Sequence, residues 1–448
     1  MGNRNHETIW LQQGHLICPT NNWDGPADVL VQDGQIAGIF NGLDQPKQSA
    51  PDDALVVDVA DLQVMPGLVD MAVYLRSPGN EEEERLDETL MGAVAGGVTT
   101  VVGLPTTEPT VEAGEDVSHR LWRAEKANTA DLCVAGALSV GREGEYLADM
   151  AEMASAGAVA FSDVDTPLRN LSWYQNACRY AAGVQTMVLG GQPIFGFGHE
   201  GVIAEGKVAT RLGLKGVPEE AEVLAVTRDI EMAKLTGAQM HVGFLSCARA
   251  LETFVRARED GVAVSAAVSP WHLMLTEEIH LERPYDTSIK FWPPLRTETD
   301  RQALCHAVKA GLLVVASGHR PVPPQEKEVE FALATPGAMA SSRYFSSLFH
   351  HASNDLLGGV TTTDLIRSTA TLPAQTLGLS DRGCLSLGQR ADVMLFCPQS
   401  PWTANEQPTY GSLNNTPNLD TTGEGAVQAT LARGAWAFMN SAFEKRLR

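Results

Sequence analysis

The chain has 448 residues, 44% of them hydrophobic and 20% charged, enough apolar material for one large folded domain or two. Its net charge of −22 argues against a nucleic-acid groove, which needs a basic patch, and against attachment to an anionic membrane surface. No apolar run reaches the roughly 18 residues of a membrane span. The leading "MGNRNHETIWLQQGH" lacks the apolar stretch of a secretory signal, so the expected location is the cytoplasm. The seven cysteines are scattered without a CxxC pair, which reads as reduced thiols rather than a disulfide framework or a zinc knuckle.

The first 64 residues read as β. "ADVLVQDGQIAGIF" is two alternating strands around Asp33-Gly34, a strong hairpin signal. The far end reads the same way, with a strand in "GQRADVMLF" and a hairpin in "AVQATLARGAWAFM" around Arg433-Gly434; residues 401–425 between them read as an irregular loop. These two ends are expected to form one small β-sandwich domain from residues 1–64 and 376–448, leaving 65–375 as a second unit.

That second unit alternates differently. Apolar runs recur at 68–75, 98–104, 132–138, 158–163, 186–191, 239–246, 262–268 and 312–318, with helical stretches between them. "PEEAEVLAVTRDIEMAKLTG" has Pro218 for a first turn, acidic residues after it and Gly237 as a stop. "SCARALETFVRAREDG" offers Ser246 as N-cap and Gly261 past the end. Glu81 to Glu84 read as the solvated acidic first turn of a helix starting near Asn80. Eight strands alternating with helices predict a (β/α)8 barrel, although a doubly wound sheet shares the pattern.

Barrel chemistry sits at the C-terminal strand ends. Here these supply Tyr74 and Arg76 from the first strand, Asp163 and Asp165 from the fourth, His241 from the sixth, His272 after the seventh and His319 after the eighth, with His199 in a loop. A two-metal hydrolase needs several imidazoles and carboxylates converging there. This set is thin, and no HxH or HExxH pairing occurs. For His241 and His319 the default is a hydrogen-bonded structural histidine.

The motifs "MPGLVDMAVYLRSPG", "GAVAFSDVD", "EGKVATRLGLKGVPEEAE", "HVGFLS", "SPWHLMLTEE", "PPLR" and "ADVMLF" resemble the dihydroorotase family of the amidohydrolase superfamily over nearly the whole chain. The resemblance implies a (β/α)8 TIM barrel with a small β domain built from both chain ends. It also implies that metal-ligand positions have been replaced, by Ala72, Tyr74, Gly191, Phe244 and Gly318, leaving Asp163 as the retained carboxylate, with Asp165 the weaker match. Arg76 and His319 match substrate contacts, whereas two other contact positions hold Thr106 and Trp292. Tyr74, Phe244, Trp271 and Trp292 would then fill the emptied site as core, and Arg76 would pair with Asp163.

On this resemblance the expected protein is a non-catalytic dihydroorotase homologue without cofactor. It is similar to the inactive dihydroorotase-like subunit of certain bacterial aspartate carbamoyltransferases. Its implied partner is the aspartate carbamoyltransferase catalytic chain in a homo- and hetero-oligomer of pyrimidine biosynthesis. Two other readings stay open: a cyclic amidohydrolase with a rearranged or single-zinc site, and a carboxylate sensor using Arg76, Asp163 and His319.

Overall fold

Strand-forming runs in the middle of the chain pair in the order in which they occur. In a computed structural model describing residues 8–41, 49–198, 200–404, 410–411, 413–417 and 421–447, the parallel strands are Leu68–Tyr74, Val98–Leu104, Asp131–Gly136, Ala158–Phe161, Met187–Leu189, Met240–Phe244, Val264–Val268 and Val314–Val315. The eighth meets the first through a parallel bridge between Val73 and His319, with Tyr74 N–H donating to His319 O at 2.9 Å. A buried carboxylate completes the seam: Asp70 Oδ1 accepts the N–H of Ser317 at 2.9 Å. Burial pushes the Asp70 carboxyl upward. The result is the (β/α)8 barrel, with helices such as Leu86–Ala95, Glu219–Thr236 and Ala248–Glu259 outside it.

The two faces of each strand explain the uninterrupted apolar runs. One face packs inside the barrel, where Met71, Val102, Ala135, Ala160, Leu189 and Ala316 meet. The other packs under the helices, where Leu68, Val101, Val134, Phe161 and Val242 meet residues such as Leu90, Ile230 and Phe254. Each large side chain so buried contributes roughly 1.5–3 kcal/mol, which makes a strand with two apolar faces the natural choice here.

The helix from Glu219 follows the sequence signals, with Pro218 at its N-cap position and Gly237 left-handed at its end, φ 73°. The other helix differs. Cys247, not Ser246, is at the N-cap position; both the N–H and hydroxyl of Ser246 donate to Glu222 instead, and Asp300 accepts the N–H of Ala248 at 2.9 Å. No helix begins near Asn80. Residues 81–83 form a turn, Leu86–Ala95 is the helix, and Glu84 is buried rather than solvated.

Both chain ends enter one hydrogen-bonded eight-stranded sheet separate from the barrel. Gln63–Pro66 pairs antiparallel with Val393–Thr403, and Leu11, Val31, Ile36 and Val64 share a core with Val393 and Leu431. The strands at the far end run on to Thr403 and resume at Thr422, so the irregular stretch is shorter than residues 401–425; part of it lies outside the described residues. The two predicted hairpin turns are present, with Asp33, Gly34, Arg433 and Gly434 all at φ between 52° and 77°. They also touch. Ala391 N–H donates to Gly34 O at 2.8 Å and Gly434 N–H donates to Ala391 O at 2.9 Å. A Cβ on Gly434 would lie 2.6 Å from Gly34 Cα, so no other residue fits there. Among the described residues no helix is long and apolar enough to cross a membrane.

Candidate functional site

The C-terminal strand ends surround a cavity of about 110 Å³. Its wall includes Ala72 and Tyr74 of the first strand, Asp165 after the fourth, Phe244 of the sixth, and Trp292 and Arg296 of the segment containing "PPLR". Ala72 and Tyr74 therefore stand at the mouth as the alternation predicts. The aromatic filling is partial. Phe244 packs over Gly318, its ring 3.4 Å from where a Cβ would stand, and Trp271 stacks on Phe291 with centroids 5.7 Å apart, but the space beside Tyr74 and Trp292 stays open.

The charged groups at the mouth are paired among themselves. Tyr74 Oη donates to Asp165 Oδ1 at 3.1 Å, and Arg320 Nη1 donates to Asp165 Oδ2 at 2.8 Å while its guanidinium lies 4.6 Å from the Tyr74 ring. Burial, then the Asp165 charge, push the Tyr74 phenol well above its ordinary value, so it remains a hydroxyl donor. Arg296 donates to Val217 O at 2.9 Å and to Ser246 Oγ at 3.2 Å, with Glu222 3.9 Å from its remaining Nη2. Glu222 accepts the N–H groups of Ser246 and Cys247 at 2.7 and 3.2 Å as well as the Ser246 hydroxyl; its burial raises its pKa. His241 lines the cavity, bonded through Nδ1 to Ser265 Oγ at 2.9 Å, and burial lowers its pKa to about 4, leaving a neutral imidazole. His272 is likewise pulled to about 4 by burial, with its Nε2 3.0 Å from Pro293 O.

The residues predicted to bind a carboxylate together do not face this cavity. Arg76 pairs with Glu83 at 3.0 Å and donates to Pro321 O at 2.7 Å, not with Asp163. Asp163 turns toward the third-strand loop, accepting from Leu138 N–H at 2.9 Å, Ser139 N–H at 3.1 Å and the Ser139 hydroxyl. Desolvation raises its pKa. His319 Nδ1 accepts the N–H groups of Ala340 and Ser341 at 3.0 and 3.2 Å, which places the proton on Nε2, 3.2 Å from Glu84. Thr106 Oγ1 donates to Leu75 O at 3.1 Å, a bond that holds backbone. His199 lies outside the described residues, and its neighbour Glu200 pairs with Lys215.

Sequence reasoning missed buried acids, among them Glu84, Asp70 and Asp229. Glu84 was hidden in an acidic run. Asp70 stands inside an apolar strand, and Asp229 inside a helix otherwise read for its ends. Asp229 accepts from Gly191 N–H at 2.7 Å, Arg228 Nε at 2.8 Å and Tyr174 Oη at 3.1 Å, and so pins the end of the fifth strand. An interior acid next to Arg228 was the available signal.

Residues 62–249 match the family described as dihydro-orotase-like. The dihydroorotase of Pelobacter propionicus is 33% identical over 95% of this chain and 98% of its own length, and that of Geotalea daltonii is 34% identical over the same shares. The chain belongs to the dihydroorotase-like family. Solved structures at lower identity share the fold: the L-hydantoinase (dihydropyrimidinase) of Arthrobacter aurescens has a TM-score of 0.79 at 20% identity, covering 96% of this chain and 95% of its own. The dihydropyrimidinase of Brevibacillus agri gives 0.79 at 21%, covering 97% and 95%.

The zinc pair that the resemblance to this family implies does not fit the donors present. Methyl, hydrogen and phenyl groups at 72, 191, 318 and 244 offer no lone pair, and Tyr74 offers a hydroxyl already committed to Asp165. Among the described residues no three His, Cys, Asp or Glu side chains are grouped to hold an ion. The backbone at two of these positions also suits glycine. Gly191 and Gly318 adopt φ of 83° and 60°, and a Cβ on Gly191 would meet Val242 O at 3.1 Å, so a histidine there would be strained.

Proposed function

We propose that this member of the dihydroorotase-like family is a non-catalytic scaffold, a pseudoenzyme that organises an aspartate carbamoyltransferase catalytic chain for pyrimidine biosynthesis. The observation that carries the non-catalytic part is the Tyr74–Asp165–Arg320 cluster at the barrel mouth, in which both oxygens of the Asp165 carboxylate are engaged by its neighbours. A general acid or base must reach a substrate proton, and here the carboxylates at the mouth are engaged by neighbouring donors while His241 is neutral and held by Ser265. The partner rests on the family resemblance. A rival reading is a cyclic amidohydrolase acting through a rearranged, single-zinc site. It is favoured by curated relatives called dihydroorotase at 33–34% identity over 95% of the chain.

The test is metal content by mass spectrometry with dihydroorotate hydrolysis on the same sample, before and after adding zinc. The scaffold reading expects neither metal nor turnover, and retention of an aspartate carbamoyltransferase chain on co-purification. Stoichiometric zinc with turnover would replace it by the rival.

A further inference from the structure

The charge balance around the barrel mouth bears on what the remaining cavity can hold. Arg296 lines the wall with Glu222 at 3.9 Å, while farther out Arg320 pairs with Asp165 at 2.8 Å, Arg76 pairs with Glu83 at 3.0 Å and Arg142 donates to Val164 O at 3.0 Å. The oxygens of Asp165 accept from Tyr74 and Arg320, and those of Glu222 from Ser246 and Cys247. His241 on the wall is neutral. A charged guest would enter a desolvated space whose lining arginine, Arg296, already donates to Val217 O and Ser246 Oγ beside the Glu222 carboxyl, and that is costly. The wall itself is mostly carbon, from side chains such as Ala72, Phe244, Ala267 and Trp292. An apolar cavity of about 150 Å³ is known to take benzene; at about 110 Å³ this one suits a ring of five or six atoms.

We propose that the cavity at the barrel mouth is a binding site for a small, uncharged, largely apolar ring compound, and that it rejects carboxylates of the same size. This reverses the expectation of a carboxylate sensor built on Arg76 and His319, which are turned toward Glu83 and Glu84. The assignment rests on the non-catalytic reading, since a chain that hydrolysed dihydroorotate would have to admit its carboxylate; turnover of dihydroorotate tells failure of that reading apart from failure of the ring site.

Cyclopentanone is a suitable probe because it is neutral, ring-sized and has no C–N bond to cleave. Its binding is read by saturation-transfer NMR and by thermal shift, alongside cyclobutanecarboxylate and dihydroorotate. Saturable cyclopentanone binding is expected, with a Kd on the order of millimolar for so few atoms, and neither anion should compete. Ala72→Leu fills the space and should weaken cyclopentanone by about tenfold or more, with far-UV circular dichroism unchanged. Asp165→Asn frees the Arg320 charge and should strengthen cyclobutanecarboxylate binding by about tenfold; if that variant does not fold, Glu222→Gln is read in the same way for Arg296. Absent saturable cyclopentanone binding, competition by either anion in the unaltered protein, or full binding by Ala72→Leu would overturn the proposal. So would an unchanged preference in the folded charge variant.

Discussion

At the floor of the barrel, Asp131 opens the third strand and accepts from Arg382 at 3.1 Å and from Arg390 and Arg433, with Asp392 bonded to Arg390 beside it. At the mouth, the positions that the family resemblance assigns to metal hold carbon, and the surviving arginines face inward to Glu83, Asp165 and Glu222. The floor network joins the barrel to the sheet made from the chain ends, so it must persist for the architecture to persist. The mouth has no such duty. Once free of metal, unpaired ligands there would cost stability when buried, and apolar replacements remove that cost. The contrast separates residues kept for assembly of the fold from residues released from chemistry.

The largest test of this contrast is at the floor. Asp131→Ala leaves three guanidinium groups without their shared acceptor and should cost about 3–5 kcal/mol in urea-monitored unfolding. A loss under about 1 kcal/mol would place the network among ordinary surface ion pairs. At the mouth, rebuilding the donors with Ala72→His, Tyr74→His, Gly191→His, Phe244→His and Gly318→Asp should lower stability, with about 1–2 kcal/mol arising at left-handed position 191 alone. That variant should contain no stoichiometric zinc by mass spectrometry; recovered zinc would mean that the strain at position 191 does not prevent a ligand set from forming.

A smaller effect sharpens the mouth by pH. His241 has a folded pKa lowered to about 4, below the ordinary value near 6.5. Between those values the unfolded chain binds a proton that the folded chain refuses. Stability from this residue therefore falls as pH drops from about 6.5 to about 4, by about 1.4 kcal/mol per pH unit. His241→Phe should remove that slope from the unfolding free energy, whereas an unaltered slope would mean that His241 is solvated in the folded chain. The smallest effect is at Thr106, where Thr106→Val should cost about 1 kcal/mol through the lost bond to Leu75 O, with no change in cyclopentanone binding.

The barrel was legible because its strands are apolar on two faces and recur between helices with recognisable ends. The hairpins at Gly34 and Gly434 were legible from turn chemistry alone. Legibility stopped where polar residues leave their local segment. Nothing in four successive glutamates says that Glu84 folds inward to His319 while Glu81 stays exposed, because His319 follows the eighth strand, far along the chain, and meets Glu84 only when the barrel closes. Ser246 looked like a cap because its spacing was right, yet Glu222, on another helix, is the acceptor that claims it. The pairing of Arg76 failed for the same reason, since a partner for a buried charge is chosen by tertiary distance. The residual space beside Trp292 was equally hidden, as ring orientation decides whether aromatic bulk fills a hole or walls it.

The contact between Gly34 and Gly434 through Ala391 also dictates an order of events during synthesis. The early strands Ile9–Cys18 and Gln63–Pro66 leave the ribosome long before Val393–Thr403, the strand that pairs with the second of them, has been made. Their sheet therefore waits with an open edge, itself a template for pairing with other chains, until the whole barrel has been translated. Joining segments so distant in sequence is intrinsically slow. Newly made chains are thus most exposed to aggregation in the interval before the last hairpin arrives.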